Sequence, residues 1–320
     1  MKRARKEELS LGVLQAVIAV CESGSMSVAA KRLRMTQSAV SQAIQQAERV
    51  VGVALFDRAR RPLKPTHAGQ TLRGRATGLL RELEALPHAI NVTHSVPELR
   101  LALIDSFSNT AGPHFVRAAF EVAHHLYIAQ GLNRPLVEAL IDRRADVIVS
   151  ADMLEDLDGI ERHPLMREPL VMLVPEALVG SGNRPTLLEL HRRLPLVRYT
   201  AGSVTGAIID RYLRRVGAYS GRRLEVDNAL LMCDLVASGA GWAVTTPLHM
   251  LQGKAHLGGV TVLPLPESAP AREITLVVRA GEFEAIAPRL AQEARRILRE
   301  DCVPAIIRLA PWLKTQLEVF

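Results

Sequence analysis

The side chains best suited to specific recognition in this sequence are short hydroxyls and amides that cluster around residue 40. A helix is predicted from Thr36, a good N-cap, to about Val51. Near its N-terminus, mostly on the side opposite the apolar residues, lie Gln37, Ser38, Ser41, Gln42 and Gln45. Such side chains can hydrogen-bond to base edges in the DNA major groove, and a helix N-terminus favours nearby phosphates.

The elements around this helix favour a helix-turn-helix. Six apolar residues recur at helical spacing and are predicted to face inward: Ala39, Val40, Ala43, Ile44, Ala47 and Val50. A shorter helix precedes them; either Ser25 or Ser27 can cap its start, and Leu33 closes it onto the core. Taken alone, the second helix could be an ordinary solvated amphipathic helix. The short helix beside it makes DNA recognition the favoured interpretation.

An arginine-rich segment follows the helix pair. After Gly52 and the apolar pair at 55–56 come four cations within seven residues: Arg58, Arg60, Arg61 and Lys64. Pro62 and Pro65 rule out a long helix there. We therefore predict a hairpin wing that lies along a phosphate backbone or a minor groove. A solvated run of charges is the alternative, and it fits less well beside a helix pair.

The net charge of the chain is concentrated at its N-terminus. The 320 residues carry 40 Lys or Arg and 33 Asp or Glu, a net charge of +7. Residues 1–66 hold 12 of the cations and 5 of the acids, so the remainder balances at 28 against 28. A nucleic-acid-binding head accounts for this asymmetry, whereas a soluble enzyme has little need of it.

The first twenty residues superficially resemble a lipoprotein signal peptide. The segment from Met1 to Lys6 is basic, and an apolar run precedes Cys21. However, Glu7 and Glu8 spoil the cationic flank, and the apolar residues recur as in an amphipathic helix, which is the favoured interpretation. No run reaches the ~20 apolar residues needed to span a bilayer. Three scattered cysteines indicate neither a disulfide framework nor a metal site. We therefore predict a cytoplasmic chain that does not interact with membranes.

The N-terminal segment resembles the DNA-binding head of LysR-type transcriptional regulators. From about Leu9 to Thr66 the resemblance rests on the elements AA-x-x-L, TQSAVSQAI, A-E-x-x-x-G, LF-x-R and P-T-x-AG. Two departures are mild: Ala47 stands where Leu is usual, and Pro65 replaces the usual Leu. The resemblance implies binding to double-stranded promoter DNA, contact with RNA polymerase, and self-association to a homodimer or homotetramer.

Pattern and resemblance together predict a winged helix-turn-helix domain over residues 9–66, with the helix-turn-helix itself at 26–45. The predicted DNA-contacting residues are Ser25, Ser27, Thr36, Gln37, Ser38, Ser41, Gln42, Arg58, Arg60, Arg61, Lys64 and Thr66.

A long helix is predicted next, from about Thr66 to Ile90. Its apolar stripe consists of Leu72, Ala76, Leu79, Leu80, Leu83 and Leu86. With only a small head beside it, such a stripe favours packing against a second copy of itself. In the LysR family this segment, residues 67–92 here, is the dimerisation helix. A core helix of the following domain is the alternative.

The remainder alternates strands and helices, which is typical of mainly parallel α/β sheets. Strands are predicted at 99–104, 126–129, 147–149, 170–174, 196–199, 224–226, 242–245 and 273–278. Helices are predicted at 112–122, 135–142, 207–216, 229–238 and 282–299, and residues 94–97 are predicted to be a linker.

This region resembles periplasmic-binding-protein-like regulatory domains. The resemblance implies two Rossmann-like α/β subdomains joined by two crossings. The effector-binding domain is accordingly assigned to residues 97–303, with subdomain I at 97–167 and 268–303 and subdomain II at 168–267. Residues 304–320 form a tail without an assigned role.

Ligands of open α/β sheets bind beyond the carboxyl ends of the strands. From this position and from the family resemblance, the candidate effector contacts are Ser106, Asn109, Asn133, Thr200, Gly202, Ser203 and Thr246. Each of them could instead be an ordinary helix N-cap. Arg198 could pair with an anionic ligand or lie exposed at a strand end, so an anionic small molecule is one option for the effector.

Enzymatic interpretations are poorly supported. Asp105, Ser106 and His114 are no evidence for a triad, because sequence nearness does not establish its geometry. His124 and His125 are adjacent, and adjacent side chains on a strand point to opposite faces, so the two cannot together chelate one metal. No phosphate loop or dinucleotide fingerprint appears. We predict neither enzymatic activity nor a cofactor. The alternative to a DNA-binding regulator is a solute-binding protein with a similar cleft.

Overall fold

The computed structural model describes residues 8–57, 62–90, 96–179, 184–219, 223–266 and 269–320. The chain divides into two compact units, one of residues 1–93 and 142–144 and the other of residues 94–141 and 145–320. Within the described ranges, no helix is long and apolar enough to cross a membrane.

The N-terminal unit contains four helices and a two-stranded antiparallel wing. In chain order these are α1 (Leu11–Ser23), α2 (Met26–Leu33), α3 (Gln37–Val51), β1 (Phe56–Asp57), β2 (Lys64–Pro65) and α4 (His67–Ile90). The predicted helix pair, wing and long helix are all present in the predicted order.

Side-chain N-caps mark the residues at which α2 and α3 begin. Ser25 accepts a hydrogen bond from the Val28 N–H at 3.4 Å, so it is Ser25 and not Ser27 that caps α2. Thr36 caps α3 in the same way, accepting from the Ala39 N–H at 3.1 Å.

The inner face of α3 is buried in the core of the head, as predicted, through Val40, Ala43, Ile44 and Ala47. Two residues that were predicted to face inward are not fully buried. Ala39 is half-buried, and the prediction for Val50 was wrong, because its side chain is 39% exposed. Val51 and Val53 are exposed as well, which indicates that the last turn of α3 extends past this small core.

The second unit contains two sheets with flanking helices. In chain order its elements are β3 (Val96–Ile104), α5 (Asp105–Ser108), α6 (Gly112–Ala119), β4 (Ala123–Gly131), α7 (Asn133–Ile141), β5 (Val147–Ser150), β6 (Ile160–Pro169), β7 (Val171–Pro175), α8 (Leu187–Arg193), β8 (Leu196–Tyr199), α9 (Val204–Arg215), β9 (Arg223–Val226), α10 (Ala229–Ala237), β10 (Trp242–Thr245), α11 (Pro247–Gln252), β11 (Val260–Pro264), β12 (Ala271–Arg279), α12 (Ala287–Ile297), α13 (Val303–Leu309) and β13 (Glu318–Val319).

Both sheets are mixed, so the expectation of mainly parallel sheets was wrong. The six-stranded sheet has the order β13-β6-β12-β5-β3-β4, and the five-stranded sheet has the order β11-β7-β10-β8-β9. Strands joined through a helix pair in parallel, as in β3 with β4 and β8 with β9. The strands that cross between the sheets or return to them, β6, β7, β11 and β12, pair antiparallel.

Several sequence expectations differ from these bounds, and α8, α11, β11, α13 and β13 were not predicted. The predicted linker at 94–97 overlaps β3, which already begins at Val96; His94 and Ser95 lie outside the described residues. Strand β6 was not predicted, because its ten residues, IERHPLMREP, carry charges on both faces and lack a clean alternation. Its place is set by pairing with β12 along its whole length.

The C-terminal tail covers the edge of the six-stranded sheet. α12 continues through a π-helical turn, Leu298–Cys302, into α13. Ile306 and Leu313 are fully buried in the core of this sheet, and β13 pairs with β6 as its last strand. The tail therefore completes the six-stranded sheet and its core, a role that could not be assigned from the sequence.

Candidate DNA-binding surface and effector cleft

The N-terminal end of α3 presents a polar surface. The side chains of Gln37, Ser38 and Gln42 are exposed, and Ser41 is half-buried. The Ser27 hydroxyl donates to the Gln37 Oε1 atom at 3.0 Å, which orients that amide from α2. These side chains have the exposure and the types that reading of base edges requires.

Three other predicted DNA contacts act as structural caps. Ser25 and Thr36 cap α2 and α3 as described, and Thr66 caps α4. The Thr66 hydroxyl donates to the Ala54 carbonyl at 2.8 Å and accepts from the Gly69 N–H at 3.1 Å. Its side chain therefore fastens the start of α4 to the segment that enters the wing.

The wing is held to the helices by the motif residues. Glu48, the acid of the A-E-x-x-x-G element, accepts through Oε1 from the Leu55 N–H at 3.0 Å. Gly69 lies so close to this segment that a Cβ atom on it would be 2.1 Å from the Leu55 carbonyl oxygen. Lys64 is exposed on β2, whereas residues 58–61, with the predicted contacts Arg58, Arg60 and Arg61, lie outside the described residues.

In the second unit, a buried ion pair lies on the two strands that lead between the sheets. Glu168 on β6 faces Arg272 on β12 in the ladder, and their side chains are 0% and 1% exposed. The Arg272 Nε atom donates to Glu168 Oε1 at 2.8 Å, and Nη2 donates to the same oxygen. Glu168 Oε2 accepts from the Leu248 N–H in α11 at 2.9 Å.

The same guanidinium binds both subdomains. Its Nη2 atom donates to the Ser106 hydroxyl at the end of β3, and its Nη1 atom donates to the Thr205 hydroxyl in the first turn of α9, each at 3.0 Å. Ser106, a predicted effector contact, is thus 1% exposed and already hydrogen-bonded. Sequence reasoning missed Glu168, Arg272 and Thr205, because no local pattern distinguishes them.

The other predicted effector contacts are divided between structural roles and the rim of the cleft. Buried Asn133 accepts through Oδ1 from the Ser150 hydroxyl at 2.8 Å and from the Ala151 N–H at 2.9 Å. Ser203 caps α9 by accepting from the Gly206 N–H at 3.1 Å. Ser203 thus has the N-cap role that was the alternative for it, whereas Asn133 is no N-cap and instead ties the start of α7 to the end of β5.

Three further candidates lie at the rim. Thr200 is half-buried, and Gly202 and Asn109 are exposed. A Cβ atom on Gly202 would be 3.5 Å from Leu132 Cδ1, so the backbone at Gly202 runs close to the Leu132 side chain.

Arg198 adopts neither of the two roles considered from the sequence. It is 8% exposed, and its guanidinium binds Asp210 through two nitrogens and Glu225 through a third, the latter at 2.6 Å. An arginine that is paired in this way offers no free charge to an anionic ligand.

Thr246 belongs to a buried polar group beneath the cleft. Its hydroxyl lies 3.0 Å from the Nδ1 atom of His249, and the His249 ring packs against Tyr199 with ring centroids 5.0 Å apart. Burial, together with the nearby Arg272 guanidinium, lowers the pKa of His249 well below its ordinary value of 6.5.

Lower pH is expected to destabilise the folded protein through His249. Above pH 6.5 the imidazole is neutral in both states, whereas below it only the unfolded chain takes up a proton. The free energy of unfolding should fall by up to about 1.4 kcal/mol per pH unit as pH decreases from 6.5 towards the lowered pKa.

Urea unfolding of the wild type and of a His249→Asn variant across this range measures the effect. Asparagine can keep the bond to Thr246, so the variant should lose only the pH-dependent part. His163, whose pKa burial also lowers, will retain its own share of the slope. Identical slopes in the two proteins would contradict the assignment to His249.

Comparisons with known proteins identify both units. A family model described as the LysR substrate binding domain matches residues 94–302, and one described as a bacterial regulatory helix-turn-helix protein of the lysR family matches residues 11–70. A probable hydrogen peroxide-inducible genes activator of Streptomyces viridosporus is 25% identical over 93% of this chain and 100% of its own length.

Two further similarities agree. The HTH-type transcriptional regulator CfxR of Cupriavidus necator is 31% identical over 64% of this chain and 66% of its own. A full-length OxyR variant from Pseudomonas aeruginosa, 20% identical, has the same fold with a TM-score of 0.68 over 92% of this chain and 96% of that one. The chain belongs to the LysR family: it is a DNA-binding transcriptional regulator with a winged helix-turn-helix head and an effector-binding domain.

Proposed function

We propose that α3 enters the major groove of promoter DNA and that Gln37, Ser38, Ser41 and Gln42 read the bases there. The observation that carries this proposal is the exposed polar N-terminal end of α3, held by its Thr36 cap. The exposed Lys64 and the arginines at 58–61 would contact phosphates. The basic surplus of residues 1–66 supports the same assignment.

A small molecule in the cleft would control this binding. The Arg272 guanidinium bonds to groups from both subdomains, Ser106 and Thr205, so a change in the cleft is transmitted to their relative orientation. The binding of the effector and the binding of DNA would then be thermodynamically coupled, because each ligand binds one relative arrangement of the subunits more tightly than the other. Ser106, Asn109, Asn133, Thr200, Gly202, Ser203 and Thr246 remain the proposed residues of the effector site and its support.

Self-association would use a second copy of this chain. Leu79 and Leu83, one helical turn apart on α4, are 51% and 46% exposed, as a dimerisation helix requires. Tyr127 and Ile128 are 51% and 48% exposed on β4, which is an edge strand of its sheet. A dimer through α4, paired further into a tetramer, would cover both surfaces. Contact with RNA polymerase and location in the cytoplasm follow from the family resemblance and from the DNA target.

One relative is named for a response to hydrogen peroxide, but none of the three cysteines of this chain is suited to sense an oxidant as a reactive thiol. Burial raises the pKa of Cys21 and Cys233 to about 11 and that of Cys302 to about 12. Only thiolates react readily with oxidants, and these thiols stay protonated at neutral pH. The effector we propose is therefore a bound small molecule.

The Gln37→Ala variant tests the DNA interface. It should lose about 1–3 kcal/mol of binding free energy at the preferred site and discriminate less at one base position, because a base contact carries sequence information. Selection from a random duplex library, followed by fluorescence anisotropy on the selected and scrambled sites, provides the measurement.

Gln70→Ala is the matched control, since Gln70 is also an exposed glutamine of the head but lies on α4 and not on α3. The affinity of this control variant for the selected DNA site should change little. Equal losses on selected and scrambled DNA in the Gln37→Ala variant would refute direct readout by Gln37.

A further inference from the structure

Acidic residues without a cationic partner follow three parallel strands whose carboxyl ends border the cleft. Asp105 follows β3, Asp152 follows β5 and Asp227 follows β9. In the part of the chain that the structure describes, none of the three forms an ion pair with lysine or arginine. Within the described ranges, no lysine or arginine therefore neutralises these three carboxylates by direct pairing.

The buried arginines of the bordering strands do not reverse this sign. Arg272 is neutralised by Glu168, and Arg198 by Asp210 and Glu225. A ligand carboxylate would have to displace an internal carboxylate to reach either guanidinium, at the cost of leaving a buried charge unpaired. Neither of these two guanidinium groups is thus free to bind an anionic ligand.

Three neutral amide side chains donate hydrogen bonds to the Asp105 carboxylate. Its Oδ1 atom accepts from Asn109 Nδ2 at 2.9 Å and from Gln130 Nε2, and its Oδ2 atom accepts from Gln252 Nε2 at 2.6 Å. These bonds fix the carboxylate in place but bring no positive charge. Since a carboxylate offers about four acceptor positions, one remains for a further donor.

Gln252 leaves a second acceptor beside this carboxylate. Because its amide nitrogen donates to Asp105, the orientation of the amide is settled, and its Oε1 atom is the part of the amide that does not bond to this carboxylate. That oxygen is buried and has no hydrogen-bond partner within the described residues. A buried acceptor without a donor is costly, so it calls for a donor from a ligand.

We propose that the effector carries an ammonium or guanidinium group that donates to the Asp105 carboxylate and to the Gln252 Oε1 atom. This assignment rests on the proposed function, in which the effector binds in the cleft. A cation accounts for both the unpaired carboxylate and the buried oxygen without a donor, because it supplies positive charge to Asp105 and an N–H donor to Gln252. A neutral donor answers only the second, and an anion answers neither.

Four probes of similar length and different charge test the assignment. Putrescine and agmatine carry ammonium and guanidinium groups, butanediol is neutral, and succinate is a dianion. Titration calorimetry of the full-length protein at constant ionic strength should show binding of the two cations and no binding of butanediol or succinate.

Two isosteric variants locate the site. Asp105→Asn keeps the size and removes the charge, and it should weaken cation binding by about tenfold or more. Asp301→Asn changes an exposed aspartate on the π-helical turn and should leave the affinity unchanged. Circular dichroism and affinity for the selected DNA site establish that both variants are folded.

Three results would overturn the cationic assignment: binding of neither cation, tighter binding of succinate than of putrescine, or equal affinities for cations in the wild type and the Asp105→Asn variant. Succinate binding would leave the proposed function standing, since an effector site would still exist. Failure of the wild type to select any DNA site would contradict the proposed function itself, whichever probes bind.

Discussion

Arg272→Met should reduce the free energy of unfolding by about 3–5 kcal/mol, the usual loss when one partner of a buried ion pair is removed. The substitution leaves Glu168 fully buried with its charge uncompensated, retaining only the bond from the Leu248 N–H. It also leaves the hydroxyls of Ser106 and Thr205 without their shared donor. The loss should appear in urea unfolding followed by the fluorescence of Trp242, which is fully buried in the second sheet.

A neighbouring pair in the same ladder is the matched control. Arg167 on β6 faces Glu273 on β12, one residue along from Glu168 and Arg272, but Arg167 is 54% exposed and the two charged groups are 3.7 Å apart. Exposed pairs of this kind contribute about 0–1 kcal/mol. Arg167→Met should therefore cost at most about 1 kcal/mol.

The double variant Glu168→Leu/Arg272→Met separates the two causes of the loss. If the cost of Arg272→Met arises from an unpaired buried charge, removing Glu168 as well should recover much of the stability. No recovery in the double variant would mean that the hydrogen bonds to Ser106 and Thr205, and the shape of the guanidinium, matter more than the charge. A cost below about 1 kcal/mol for Arg272→Met alone would contradict the buried network.

Gly69→Ala should destabilise the head by about 3 kcal/mol, at the upper end of the usual cost of overpacking. The new methyl group would lie 2.1 Å from the Leu55 carbonyl oxygen and 3.2 Å from Pro65 Cβ. The first of these contacts is with backbone, so relief requires the start of α4 to move away from the wing. That movement would break the hydrogen bond from the Thr66 N–H to the Leu55 carbonyl, 2.9 Å in length.

Hydrogen exchange at the Thr66 and Gly69 amides and affinity for the selected DNA site measure this effect, because both tryptophans, Trp242 and Trp312, lie outside the head. Gly12→Ala is the control. Gly12 lies in α1, a Cβ atom there would meet nothing within 4 Å, and alanine is the better helix former by about 1 kcal/mol. Faster exchange should occur in the Gly69→Ala variant alone; equal exchange in both variants would show that α4 tolerates the methyl group.

The architecture of the head could be predicted closely because its signals are local. The Thr36 cap, the helical recurrence of Val40, Ile44 and Ala47, and the cations of the wing all act within a few residues of one another. The sequence could not show that Thr66 caps α4 or that Val50 stays exposed. Both depend on how far the core of the head reaches, which is a property of packed elements.

The elements of the effector-binding region were also largely evident from alternation and strand ends, but their pairing was not. β6 has no clear strand pattern, and only its pairing with β12 and the covering tail make it an interior strand. The antiparallel pairing of the crossing strands could not be predicted either, because their neighbours come from distant parts of the chain.

What the sequence by itself determined is the family, the DNA-binding head and an effector-binding domain of alternating strands and helices. Only the tertiary structure decided which partners the polar groups at the strand ends have. The hydrogen bond from Arg272 to Ser106 joins residues 166 positions apart, and the bond from Gln252 to Asp105 joins residues 147 apart. No local pattern records such partners, because a buried charge is defined by the groups that folding brings around it and not by its neighbours in the chain.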